Sequence, residues 1–230
     1  MIFGWSCSPA TKNKSIMNEQ ITLNQDLSEY ISDYLLDFNE INTERKAILE
    51  SLAKVVVENQ SKEEVNLTFI CTHNSRRSHI SQIWAQAAAA YYGVDKIHCF
   101  SGGTEATAFN PRAVKAMKKA GFNITTADTN ENPVYEVRYS SEANVLKAFS
   151  KKYEDPFNPQ EGFIAVMTCN HADEACPIVF GADRRVAITY IDPKVSDNTP
   201  EEETTYENRS KQIGREMFYT FNKVKQLMNE

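Results

Sequence analysis

The sequence predicts an α/β fold: three layers, with a four-stranded parallel sheet carrying helices on both faces, and a helical extension at the N-terminus. Three observations lead there. From Asn66 onward, short apolar runs alternate with longer amphipathic ones, the pattern of parallel strands joined by crossover helices. The first apolar run leads straight into CTHNSRRS, residues 71–78, in which an arginine follows a cysteine by six places at the start of a helix. A later run ends at Cys169, and sheets of this kind bind ligands at the carboxyl ends of their strands.

The elements follow in order. Residues 1–21 are expected to be a disordered tail, with Met17 as an alternative start. In the 22–62 extension, Leu27, Tyr30, Ile31, Tyr34, Leu35 and Phe38 fall at helical spacing, and Ile48, Leu49, Leu52, Val55 and Val56 repeat it after a break at 39–42. Two amphipathic helices result, to be packed on the main domain or on a second copy. The main domain, 63–230, reads as strand 67–70, helix 78–92, strand 97–100 and helix 111–120, the last begun by Asn110-Pro111 and stopped by Gly121. Strands at 163–167 and 186–190 and a long helix at 200–227 complete it, with Glu201, Glu202 and Glu203 at the positive end of that helix. An insertion at 125–160 interrupts the pattern with an alternating run at 134–139 and a helical stretch at 143–153. It fits a lid over the site and an ordinary surface insertion equally.

Composition limits the partners. With 31 acidic against 25 basic residues the chain is net negative, which argues against nucleic acid, so any anion site must be a local positive pocket. No apolar run approaches the roughly 20 residues needed to span a bilayer, and MIFGWSCSPA lacks a charged leader, so no membrane partner and a cytoplasmic location are expected. Five cysteines, an odd number, read as thiols and not as a disulfide framework; with four histidines and no C-x2-C pair, no metal site is expected. Cys7 falls in the tail and Cys99 reads as a core residue.

The 71–78 segment carries the chemistry. A strand, a tight loop and a helix start form an anion cradle, because the loop amides and the helix dipole point positive charge at one spot. The same field favours thiolate over thiol at Cys71. Arg77 supplies a planar fork that grips two oxygens of a tetrahedral anion.

These residues resemble the low-molecular-weight tyrosine phosphatase superfamily and, within it, the thioredoxin-coupled arsenate reductases. CTHNSRRS is similar to the family's C-x-G-N-x-C-R-S, FSGG at 100–103 to its S-A-G segment, and NPRAVKAM at 110–117 to its N-P-x-A-V-x-A-M helix. Cys169 through Cys176-Pro177 is similar to a C-x6-C-P that the arsenate reductases have and ordinary members lack. The resemblance spans about 66–227 outside the insertion. It implies that Cys71 attacks the oxyanion centre while Arg77 and the loop residues Thr72, His73, Asn74, Ser75, Arg76 and Ser78 hold its oxygens. Asn74 keeps the loop in shape, Ser78 donates to the thiolate, and Asp192, in Ile191-Asp192-Pro193, protonates the leaving oxygen. Cys169 and Cys176 relay the oxidation outward to a thioredoxin-like protein, with no bound cofactor.

Helical positions seven apart lie about 10 Å apart along the axis, so a Cys169–Cys176 disulfide requires that segment to rearrange. Two other readings share the loop: a phosphatase acting on phosphotyrosine or a small phosphate ester through a phosphocysteine, and a non-catalytic anion or redox sensor. The sequence also departs from the family pattern. His73 replaces a glycine; Arg76 replaces a cysteine and is expected to face solvent; Gln82 replaces a glutamate, which argues against a bound monovalent cation. Lys194 stands where tyrosine phosphatases place an aromatic residue, which weighs against phosphotyrosine. His79 is expected on the surface, and His171 in a solvent-facing loop.

Overall fold

The computed structural model describes residues 21–176 and 178–230. The expectations for the tail up to residue 20, for Cys7 and for Pro177 lie outside the described residues. Strand β1, Val65–Cys71, is buried at every position but Asn66 and so on both faces, which makes it a central strand. It pairs in parallel with β2, Ile97–Gly103, on one side and with β6, Phe163–Met167, on the other; β7, Ala182–Ala187, closes the edge to give the order β2-β1-β6-β7.

Alternation along the strands assigns the two faces. Leu67, Phe69, Ile164 and Val166 enter the larger apolar cluster, formed with α3 (Arg77–Tyr91), α4 (Pro111–Lys119) and α6 (Glu202–Met228). Ile70, Phe163, Ala165 and Met167 face the other way, onto the short helix α5 (Asn170–Ala175). Among the described residues no helix is long and apolar enough to cross a membrane.

The extension forms α1, Gln25–Tyr34, and α2, Thr43–Glu58. Leu27 and Ile31 of α1, Leu35 directly after it, and Leu49, Leu52 and Val56 of α2 are fully buried in the larger cluster, so the apolar faces of both helices are used within the chain. Trp84 of α3 is the meeting point: its ring lies 6.0 Å from that of Tyr30, and its indole N–H donates to Ser210 Oγ at 3.0 Å. Gly214 lets α6 approach this contact, since a Cβ there would stand 3.0 Å from the Trp84 ring and 3.1 Å from Leu35. Arg45 of α2 bonds Glu216 of α6 at 2.7 Å.

Two expected elements differ. The stretch read as helix at 143–153 contains β5, Leu146–Ala148, which pairs with β4, Tyr135–Arg138, itself paired to β3, Asn123–Thr125. The cause is tertiary: pairing with β4 uses the backbone groups of β5 and buries Ala148 and Val137 completely. The fourth parallel strand begins earlier than its apolar run, at Ala182, because an edge strand keeps polar Asp183 and Arg184 in solvent. Residues 188–192 leave the sheet, anchored by Ile188 N–H to Met167 C=O at 2.9 Å and Tyr190 N–H to Thr168 C=O at 3.1 Å.

Candidate active site

Cys71 ends β1, and α3 begins at Arg77 after a loop whose shape is set by Asn74. Asn74 is the loop residue in the left-handed region, at φ 43°, where Asn is among the better tolerated side chains; His73, the replacement for a glycine, is not. Both ends of the Asn74 amide are used: its oxygen accepts the Lys151 N–H at 2.9 Å and its nitrogen donates to Ser78 Oγ at 2.8 Å. Ser78 Oγ lies 3.1 Å from Cys71 Sγ. With Asn74 occupying one acceptor position, the hydroxyl proton of Ser78 is directed at the sulfur when it is a thiolate.

Among the described residues the loop amides of Thr72 through Arg76 have no protein acceptor, and no side chain caps α3. They form the ring of donors that an oxyanion needs. The loop carbonyls are held from outside: Thr104 N–H and Glu105 N–H donate to the carbonyls of Cys71 and Thr72, Asn110 N–H to that of Ser75, and Ser150 Oγ to that of His73. The insertion is therefore tied to the loop near its C-terminal end. Its residues 150–152 brace the loop, with Lys152 bridged to Gly103.

Arg77 donates through Nη2 to Asp192 Oδ2 at 2.7 Å and through Nη1 to Tyr190 C=O at 3.0 Å, and its Nε–H is buried without a protein acceptor. Asp192 also caps the turn Pro193–Ser196 by accepting from Lys194 N–H at 3.1 Å. Arg76 corrects an expectation. It does not face solvent: its side chain is 12% exposed and donates to Tyr206 OH at 2.8 Å and Asp197 Oδ2 at 3.4 Å. Its side chain ties the 192–197 turn that carries Asp192 to α6, while its backbone amide stays with the loop donors.

His79 is the second correction. It is fully buried, 3.1 Å from Ser101 Oγ, with its ring centre 4.2 Å from that of Phe109 and the two rings tilted by 31°. Burial, followed by the nearby Lys151 charge, holds its imidazole well below the ordinary value of 6.5. Lys151 is itself buried, its ammonium 4.4 Å from the centre of the Phe149 ring, and burial lowers it to about 8. In the unfolded chain His79 takes up a proton as pH falls through 6.5, while in the folded chain it stays neutral. Stability is thus expected to fall by up to about 1.4 kcal/mol per pH unit below that point. Urea midpoints at pH 7.5 and 5.5 measure this, and His79→Gln should flatten the difference.

The thiols converge partly. Cys169 is the N-cap of α5; its Sγ accepts the Ala172 N–H at 3.3 Å and lies 3.5 Å from Thr72 Oγ1, the side chain next to Cys71. Cys176 is half-buried at the opposite end of the helix. Arg185 of β7 holds that end, donating to Cys176 C=O at 3.2 Å and to Asp173 C=O at 2.6 Å. Replacing Arg185 by Met is expected to remove about 1 kcal/mol of restraint, discounted for partial exposure, and to speed alkylation of Cys176 about fivefold. Timed labelling with iodoacetamide checks it.

Cys99 is buried in the core, as its apolar surroundings suggested, and burial raises its thiol well above the ordinary range. Gln82 is buried and donates to Cys99 C=O at 3.0 Å. Among the described residues no group of three or more His, Cys, Asp or Glu side chains converges as metal ligands do. Sequence reasoning missed Ser150, Lys151, Arg185 and the Tyr190 carbonyl, whose contacts with the site span long sequence separations and follow no local pattern.

A parallel sheet of this order, with a cysteine-to-arginine anion loop at the end of its central strand, defines a protein of the low molecular weight phosphatase type. The family model for low molecular weight phosphotyrosine protein phosphatase matches residues 66–141. An arsenate reductase of Halalkalibacterium halodurans is 31% identical over 136 residues, 58% of this chain and 78% of that one. One of Bacillus cereus is 30% identical over 125 residues, covering 54% and 74%. The chain belongs to this family. Among solved structures, a low molecular weight protein tyrosine phosphatase from T. tengcongensis is similar over 72% of this chain and 99% of its own, at TM-score 0.45 and 16% identity. A solution structure of such a phosphatase from Bacillus subtilis covers 70% and 98%, at TM-score 0.47 and 14% identity.

Proposed function

We propose that this chain is a cytoplasmic arsenate reductase that works through Cys71, Cys169 and Cys176. The observation that carries the reading is the position of Cys169, its sulfur against the Thr72 hydroxyl at 3.5 Å and buried in one cluster with Cys71. A phosphatase has no use for a second thiol there. The arsenate reductase names of the curated relatives support the same reading.

The chemistry runs as follows. Arsenate sits on the loop amides, with its oxygens on the Arg77 fork and the Arg77 Nε–H. The Cys71 thiolate attacks arsenic, and an arsenic-bound hydroxyl leaves as water after accepting a proton from Asp192, which parts from Arg77 to carry that proton once the oxyanion takes the guanidinium. The Cys169 thiolate attacks Cys71 Sγ; the S–As bond breaks, its electron pair stays on arsenic, and arsenite leaves as a Cys71–Cys169 disulfide forms. The Cys176 thiolate attacks Cys169 Sγ, freeing Cys71 and leaving a Cys169–Cys176 disulfide. A thioredoxin-like dithiol reduces that disulfide and is itself oxidised. The third step requires α5 to open, since its two ends are beyond disulfide reach. Exposed Ile178 and Phe180 after Cys176, and exposed Ile191 and Val195 beside Asp192, offer apolar surface to a protein reductant.

Arsenite formation by the purified chain with thioredoxin, thioredoxin reductase and NADPH tests this; NADPH oxidation indifferent to arsenate sinks it. Asp192→Asn is expected to lower kcat by about 10²–10⁴, the usual contribution of a positioned proton donor.

A further inference from the structure

Resting on this assignment of the three thiols, we infer that His171 is the proton acceptor that converts Cys169 to its thiolate, acting through the Thr72 hydroxyl. Cys169 must lose a proton before it attacks Cys71, yet it is 1% exposed, so bulk water has no direct access to its S–H. Thr72 Oγ1 lies 3.5 Å from Cys169 Sγ and 3.3 Å from His171 Nδ1, and joins the two. A hydroxyl has one proton to give and lone pairs to receive another.

With the imidazole proton on Nε2, Nδ1 accepts the Thr72 proton while Oγ1 accepts the Cys169 proton. Each proton moves one place. The products are a thiolate, an intact hydroxyl and an imidazolium; Nδ1–H then donates to Oγ1, and Oγ1–H to the sulfur. The Ala172 N–H, 3.3 Å from Sγ, also faces the new charge. The far end of the relay reaches water. His171 is exposed on the first turn of α5 and lines a cleft of about 290 Å³ with Arg77, Tyr190 and Asp192, which gives the proton a way out. His171 touches Thr72 and not the reacting sulfur, so it is a positioning residue for Cys169. This is more than the solvent-facing loop histidine that the sequence suggests.

The test uses the full chain at pH 7 without arsenate, labelled with methyl methanethiosulfonate and read by mass spectrometry of the Cys169 peptide. His171→Ala is expected to slow Cys169 labelling on the order of tenfold or more, and added imidazole to restore it. Thr72→Val is expected to slow it equally, without rescue by imidazole. A merely structural role predicts the opposite, because loosening α5 exposes the sulfur and speeds labelling. Labelling that is unchanged or faster in His171→Ala, or slowed with no imidazole rescue, overturns the relay. Arsenite formation is scored on the same samples, so the two readings fail separately. Cys169-dependent arsenite formation with labelling indifferent to His171 removes the relay and leaves the reductase standing. No arsenite from the parent chain, with labelling that follows the relay pattern, removes the reductase reading and supports the relay.

Discussion

Cys169→Ser is expected to reduce arsenate turnover to background while leaving p-nitrophenyl phosphate hydrolysis at whatever rate the parent chain shows. The two reactions share Cys71, Arg77 and Asp192 and diverge only when a second thiolate must attack Cys71 Sγ. A serine hydroxyl cannot make that attack, because it does not form a disulfide. It is also a gentle replacement. Cys169 caps α5 by accepting the Ala172 N–H, and serine is among the preferred residues at a helix N-cap, so the fold around the site should persist. Loss of both activities together indicates instead that Cys169 supports the loop structurally. Persistence of both sinks the three-thiol scheme.

Gly103→Ala is expected to disable the site from a residue that touches no substrate. The last residue of β2 lies against the anion loop so closely that a Cβ there stands 2.7 Å from Asn74 N and 2.7 Å from Thr72 O, and meets Glu105 O as well. All three are backbone atoms, so no side chain can swing away. Overpacking of this sort costs at least about 1–3 kcal/mol. The functional cost is larger, because one of the atoms pushed, Asn74 N, belongs to the ring that holds the oxyanion and a second, Thr72 O, to the same loop, and displacing such groups by about 1 Å costs on the order of 100-fold in rate. Inhibition by inorganic phosphate reads the loop directly. Its inhibition constant should weaken along with kcat/KM, while far-ultraviolet circular dichroism stays that of a folded chain. Parent-like phosphate affinity in Gly103→Ala contradicts the close-approach argument.

The parts of the site that lie within a few residues of one another are legible in the sequence. Cys71 and Arg77 belong to one strand, loop and helix start, whose physics is local because amides turn inward there; the parts played by Asn74 and Ser78 came from the family resemblance, and the left-handed backbone of Asn74 from the structure. The Asn110-Pro111 helix start was readable for the same reason, as Asn110 accepts the Arg112 N–H at 2.9 Å. What the sequence hid depends on distant partners. Arg76 turns inward because Tyr206 and Asp197 wait for it across the chain, and His79 is buried because Ser101 and Phe109 enclose it. The stretch 143–153 has helical spacing yet pairs as a strand, since β4 offers it a ladder. Lys151 could not be picked out among the lysines, because its burial follows from Phe149 and from the loop it braces. Edge strand β7 carries too many charges to stand out as a strand by hydrophobicity.

The most direct test of the three-thiol account is a single turnover of arsenate by Cys176→Ser without any reductant, followed by acid quenching and peptide mass spectrometry. With the third thiol removed the reaction should stop one step short, releasing one arsenite per chain and leaving Cys71 and Cys169 joined in a disulfide. Free thiols at both positions with no arsenite released would contradict the account.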